Sequence, residues 1–239
     1  MFRPLARALP LLLALAPWPA LADVTASYQA GKDRLTVEVA DNGDARVEVG
    51  ELVYIRHGGE EYLTLGKAGD DQVSGRHDDM LKFLGTLFRA DPETGSLAAP
   101  VPVTPVLDPL PDTELLGLKG RAWRIWPRGK NDPAGSIDAS FSASPKLAPV
   151  NGVLQSALNS FISVFGPMDK RGHFRAILAM MGDKGTPLTV RNAATIQLLA
   201  VDTAPIDPAH LAVPENLVSG EMLTALADQM QTKTKEKNP

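Results

Sequence analysis

In Arg34-Leu35-Thr36-Val37-Glu38-Val39 apolar and polar side chains alternate without a break, and beyond Asp41-Asn42-Gly43-Asp44 they alternate again in Ala45-Arg46-Val47-Glu48-Val49. A period of two puts Leu35, Val37 and Val39 on one face and Thr36 and Glu38 on the other, as a half-buried strand requires. The Asn-Gly pair between the runs tolerates the positive φ angles of a tight hairpin turn. Outward from this hairpin, Leu52 to Arg56 reads as the next strand, His57-Gly58-Gly59-Glu60 as its turn and Tyr62 to Leu65 as the strand after that, while Val24 to Tyr28 stands in front. The segment predicts a meander of about five antiparallel strands.

The period then changes. Met80, Leu81, Leu84, Leu87 and Phe88 recur at helical spacing behind a cap at Asp78 or Asp79. Pro92, Pro100, Pro102, Pro105, Pro109 and Pro111 make the next segment too proline-rich for a helix or a central strand, so residues 92–111 are expected to form an extended excursion. Strand pattern returns at Leu115 to Trp126 and Ser136 to Ser142. Leu154, Ala157, Leu158, Phe161, Ile162 and Phe165 form the apolar stripe of an amphipathic helix, which Gly166-Pro167 stops. A short helix at Phe174 to Met181, strands at Leu188 to Arg191 and Thr195 to Asp202, and a last helix at Glu221 to Met230 complete the chain. About nine or ten strands and four helices, with the helices inserted between groups of strands, predict an α+β fold. The helices are apolar enough to cover one face of a single curved antiparallel sheet, and are not spaced one per strand as parallel crossovers would be.

The chain has 239 residues, 22% of them charged, and no cysteine, so globular folding is expected without disulfides or a thiolate nucleophile. Arg3 and Arg7 ahead of the apolar run Leu9 to Leu15, then Ala20-Leu21-Ala22, have the form of a cleaved signal peptide over residues 1–22. The apolar run is shorter than the roughly 20 residues a membrane span needs. Cleavage after Ala22 moves the net charge from −4 to −6. The expected product is a periplasmic protein with one domain over 23–231 and a flexible tail over 232–239, monomeric, without a transmembrane segment and without a nucleic-acid partner.

Several further segments, taken with the opening meander, resemble a known family. Arg34 to Val39 with Asp41-Asn42-Gly43 and Arg46, then Val53-Tyr54-Ile55-Arg56 and Glu61-Tyr62-Leu63, are similar to the first strands of exported bacterial proteins built on the lipoprotein-carrier half-barrel. Leu118-Lys119-Gly120-Arg121-Ala122-Trp123-Arg124, Ser144-Pro145 with Leu147, and Gly185-Thr186-Pro187-Leu188 followed by Ile206-Asp207-Pro208 and Leu211 to Pro214 fit the same layout. The resemblance spans roughly residues 34–214. It implies a strongly bent antiparallel sheet, an incomplete β-barrel, whose concave face is covered by helices and encloses an apolar space for acyl chains. The proline-rich segment and the extra C-terminal length depart from the dedicated carriers, and no carrier binding residue matches one for one, so none is carried over.

Leu81, Leu84, Phe88, Leu158, Phe161 and Phe165 are therefore the candidate ligand-binding residues, set against the plainer reading in which the same side chains only fill the core. A second cluster, Lys119, Arg121, Trp123, Arg124, Trp126, Arg128 and Lys130, sets cations beside indoles in a form suited to phosphate head groups or polyanions. Alternation sends Lys119, Arg121 and Trp123 one way and Arg124, Trp126 and Arg128 the other, which favours a strand with solvated charges. The four histidines show no ligand spacing, and neither a metal nor a cofactor is expected. Three function classes follow: a carrier of a hydrophobic ligand, a non-catalytic structural or interaction module with an envelope protein as partner, and a hydrolase, whose triad would leave no local signature if assembled from distant residues.

Overall fold

The computed structural model describes residues 23–66, 72–87, 103–131, 135–166, 169, 171–192 and 195–237. The expected signal peptide, Phe88 and residues 92–102 lie outside them. The first strands follow the alternation closely: β1 (Val24–Ala30), β2 (Asp33–Val39), β3 (Ala45–Val49), β4 (Leu52–His57) and β5 (Glu60–Leu65) pair in sequence, each antiparallel to the last. A short β6 (Val73–Arg76) extends the meander and leads directly into helix α1 (His77–Leu87).

Register explains why this half of the sheet has one apolar face. Ala26 lies opposite Val37, Val37 opposite Val47, Val47 opposite Tyr54, Tyr54 opposite Leu63 and Leu63 opposite Gly75. One row of side chains thus crosses six strands on the core side. It ends at a glycine because α1 turns back there: a Cβ on Gly75 would lie 3.1 Å from Met80 Cγ. On the opposite face, Val53, Ile55 and Tyr62 form a small separate cluster capped by Val213.

The second half contributes β7 (Val106–Leu115), β8 (Leu118–Trp126) and β9 (Ile137–Ser142), then helices α2 (Ala148–Phe165) and α3 (His173–Lys184), strands β10 (Thr186–Arg191) and β11 (Thr195–Asp202), and helix α4 (Gly220–Lys237). Strand β11 pairs with β1, which joins the two halves into one open antiparallel sheet of eleven strands in the order β6-β5-β4-β3-β2-β1-β11-β10-β9-β8-β7. Helices α1, α2 and α3 pack against the sheet in one continuous core. Val150, Val153, Leu154, Ile162 and Val164 of α2 are each less than 10% exposed, and full burial of a side chain of this kind contributes roughly 1.5–3 kcal/mol. Helix α4 instead packs on α1, burying Leu223 and Ala227.

Two expectations are corrected. The second half of the proline-rich stretch is strand β7, with Pro109 opposite Trp123 and Pro111 inside a register shift between Leu110 and Thr113. An edge strand has one side without a sheet partner, so a missing N–H there breaks no ladder bond, and the irregularity absorbs the other. The tail expected from residue 232 is helical as far as Lys237, since its Lys and Glu residues favour a helix even where the apolar pattern has ended.

Candidate functional site

Helices α1, α2 and α3 do not fill the space against the sheet. A cavity of about 240 Å³ remains, floored by Leu35, Val47 and Leu63 and walled by side chains of the three helices. Leu81 and Leu84 reach it from α1, and Leu158, Phe161 and Phe165 from α2. These are five of the six candidate residues; Phe88 lies outside the described residues. Leu84 is 2% exposed, whereas Leu81, Leu158, Phe161 and Phe165 are only half-buried. Their apolar faces meet open space where close-packed protein atoms would otherwise stand.

Aromatic contacts organise one wall. Phe161 and Phe165, one helical turn apart, have ring centroids 4.7 Å apart, and Phe161 meets Phe174 of α3 edge to face at 5.2 Å. Phe174 is 42% exposed and also lines the cavity, so the space reaches the surface there. Asp169 fixes that end of α3: its buried carboxylate accepts hydrogen bonds from the backbone N–H of His173 at 2.9 Å and of Phe174 at 3.1 Å. A carboxylate at the first turn satisfies donors that the helix itself leaves open.

Three of the lining residues carry a side-chain oxygen, Tyr28, Tyr54 and Ser160. The Tyr28 hydroxyl is buried with no hydrogen-bond partner among the described residues, and burial pushes its phenol well above the usual tyrosine range. Tyr54 and Ser160 belong to a polar chain joining the sheet to α1 and α2. The Tyr54 hydroxyl donates to Glu61 Oε1 at 2.6 Å; burial, and then the neighbouring Glu61, hold its phenol above the ordinary value, so it stays a donor. His77, the first residue of α1, sets Nε2 2.7 Å from Ser160 Oγ. Its Nδ1 faces Asp78 Oδ1 at 3.1 Å and Glu61 Oε2 at 3.8 Å. The Tyr54 and His77 rings meet edge to face at 6.2 Å.

The sequence does not display these contacts, because their members stand far apart and only the fold brings them together. The available signal is the run Ser156, Ser160 and Ser163, three hydroxyls at helical spacing on one amphipathic helix.

The basic strand resolves differently. Arg124 makes a two-pronged pair with Asp138 at 2.8 and 2.9 Å, while Trp126 Nε1 and Lys130 both donate to Asp108. Hydrogen bonds from Arg124 hold the Asp138 carboxyl below the usual carboxylate range, and those from Lys130 and Trp126 do the same for Asp108. Lys184 lies 5.6 Å from the centre of the Trp123 ring. Arg124 and Lys130 are thus answered by acids on adjacent strands and are not gathered on one surface for a polyanion.

Among the described residues no group of three or more His, Asp or Glu is placed to hold a metal ion, and no helix is long and apolar enough to cross a membrane. Comparison of the chain with protein-family models and with curated proteins gives no match.

Proposed function

We propose that this chain is a periplasmic binding or carrier protein for an apolar ligand bearing an acyl chain, built on the lipoprotein-carrier half-barrel. In this reading the open sheet is strongly bent, α1, α2 and α3 cover its concave face, and the protein acts as an exported monomer. The observation that carries it is the cavity between sheet and helices, almost wholly apolar, with Leu158, Phe161 and Phe165 turned to its interior.

Its size narrows the ligand. At about 240 Å³ it falls just below the roughly 300–1,000 Å³ usual for ligand pockets, which suits one chain and not a lipid with several. Each buried methylene contributes about 0.8 kcal/mol, so a dozen would supply roughly 10 kcal/mol. Association and ordering cost about 4 kcal/mol or more, leaving reversible binding in the micromolar to millimolar range. A carrier needs that reversibility to unload.

Lipid extraction and mass spectrometry of the chain purified after export test the reading. A single-chain amphiphile near one per protein is expected. Preparations free of lipid that instead hold an envelope protein would favour the structural or interaction module.

A further inference from the structure

We propose that Ser160 and His77 are a nucleophile and general base that cleave a carboxylic ester whose acyl chain lies in the cavity. The proposal rests on the cavity admitting such a chain and adds a reaction to it. Ser160 is the sole aliphatic hydroxyl among the described lining residues. Behind it, away from the cavity wall, stands His77, with its side chain 17% exposed and Nε2 at 2.7 Å from Ser160 Oγ. Beyond His77 come the carboxylates of Asp78 and Glu61 on its Nδ1 side, and Glu61 is itself held by the Tyr54 hydroxyl at 2.6 Å. The order is lining serine, imidazole, carboxylate.

That order has a chemical consequence. Carboxylates facing Nδ1 favour the tautomer with its proton there, which leaves the Nε2 lone pair directed at the serine. The Ser160 hydroxyl has a second acceptor, the Ser156 carbonyl at 2.9 Å, and ester cleavage uses the imidazole instead. Ser160 Oγ adds to the ester carbonyl carbon while its proton passes to Nε2. The bond from that carbon to the alcohol oxygen breaks, and the alcohol leaves with the proton. Water, deprotonated by His77, then attacks the acyl-serine, releases the carboxylic acid and returns the proton to Ser160. Nothing is oxidised or reduced, and water is the only co-reactant. Glu61, Asp78 and Tyr54 are positioning residues.

An alkyl fluorophosphonate, which reacts with an activated serine, tests this on the full exported chain. Peptide mapping should find the adduct on Ser160. It should be absent from Ser160→Ala, and its formation should slow about 100-fold or more in His77→Gln, the scale expected for loss of a general base. Binding of a fluorescent fatty acid to the wild-type chain is measured alongside. A wild-type chain that binds the fatty acid but gives no adduct, or gives one elsewhere, overturns the hydrolase proposal and leaves the carrier reading standing. A chain that binds no fatty acid overturns both.

Discussion

Phe161 and Phe174 meet edge to face with centroids 5.2 Å apart, tying α2 to α3 where the cavity reaches the surface. An aromatic pair of this geometry is worth about 0.5–1.5 kcal/mol beyond its buried area. Because Phe174 is 42% exposed, little else is lost with it. Phe174→Ala should therefore cost only about 1 kcal/mol of stability while opening the entrance. Stopped-flow release of a bound fluorescent fatty acid should be faster than in the wild type, and unchanged release would place the entrance elsewhere.

Gly185 sits between α3 and β10 with φ +96° and ψ −153°, and a Cβ there would lie 2.3 Å from the Ser142 carbonyl oxygen. Backbone strain and backbone collision act together. Gly185→Ala should destabilise the fold by about 2–4 kcal/mol in chemical denaturation, because β10 cannot shift without breaking its register with β9.

Leu116 has φ +55°, in the turn it shares with Gly117 between β7 and β8, and its side chain is exposed. A left-handed leucine costs about 1–2 kcal/mol, and asparagine tolerates that conformation better. Leu116→Asn should raise the denaturation midpoint by the equivalent of about 1 kcal/mol. A fall would mean that the exposed leucine makes contacts that outweigh its strain.

Arg124 depresses the pKa of Asp138 in the folded chain, so the sign of the pH effect follows directly. The pair's contribution is complete above the unfolded carboxylate value of about 4 and is lost as pH falls through the folded one. Both side chains are more than one-third exposed, so solvent screening keeps the contribution small. The stability difference between wild type and Asp138→Asn, measured by urea denaturation, should be present near neutral pH and shrink towards about pH 2. A difference that does not change with pH would assign the effect of the substitution to something other than the ion pair.

The meander was legible from Leu35 to Val49 because alternation is a local property and the turn residues punctuate it. Strand β6 was not: Val73-Ser74-Gly75-Arg76 is too short to show a period. Pro109 and Pro111 exclude a sheet interior, and nothing local says that Val106–Leu115 lies at an edge. The pairing of β1 with β11, which unites the sheet, depends on residues at opposite ends of the chain. The stripe Leu158, Phe161 and Phe165 was visible as a helix face. Periodicity reports which side chains leave solvent, and it is silent on whether they meet packed atoms or open space. The contact between His77 and Ser160 bridges 83 residues and leaves no trace in either neighbourhood.

A titration of the wild-type chain and of Phe161→Lys with a fluorescent fatty acid, with circular dichroism recorded on both, bears on the carrier reading itself. Lysine at this half-buried position places a charge against the apolar wall at moderate cost to folding. The expected result is saturable uptake at one site per chain in the wild type and its loss in a folded Phe161→Lys. A wild-type chain that shows no saturable uptake would contradict the account, as would a Phe161→Lys variant that binds as well as the wild type.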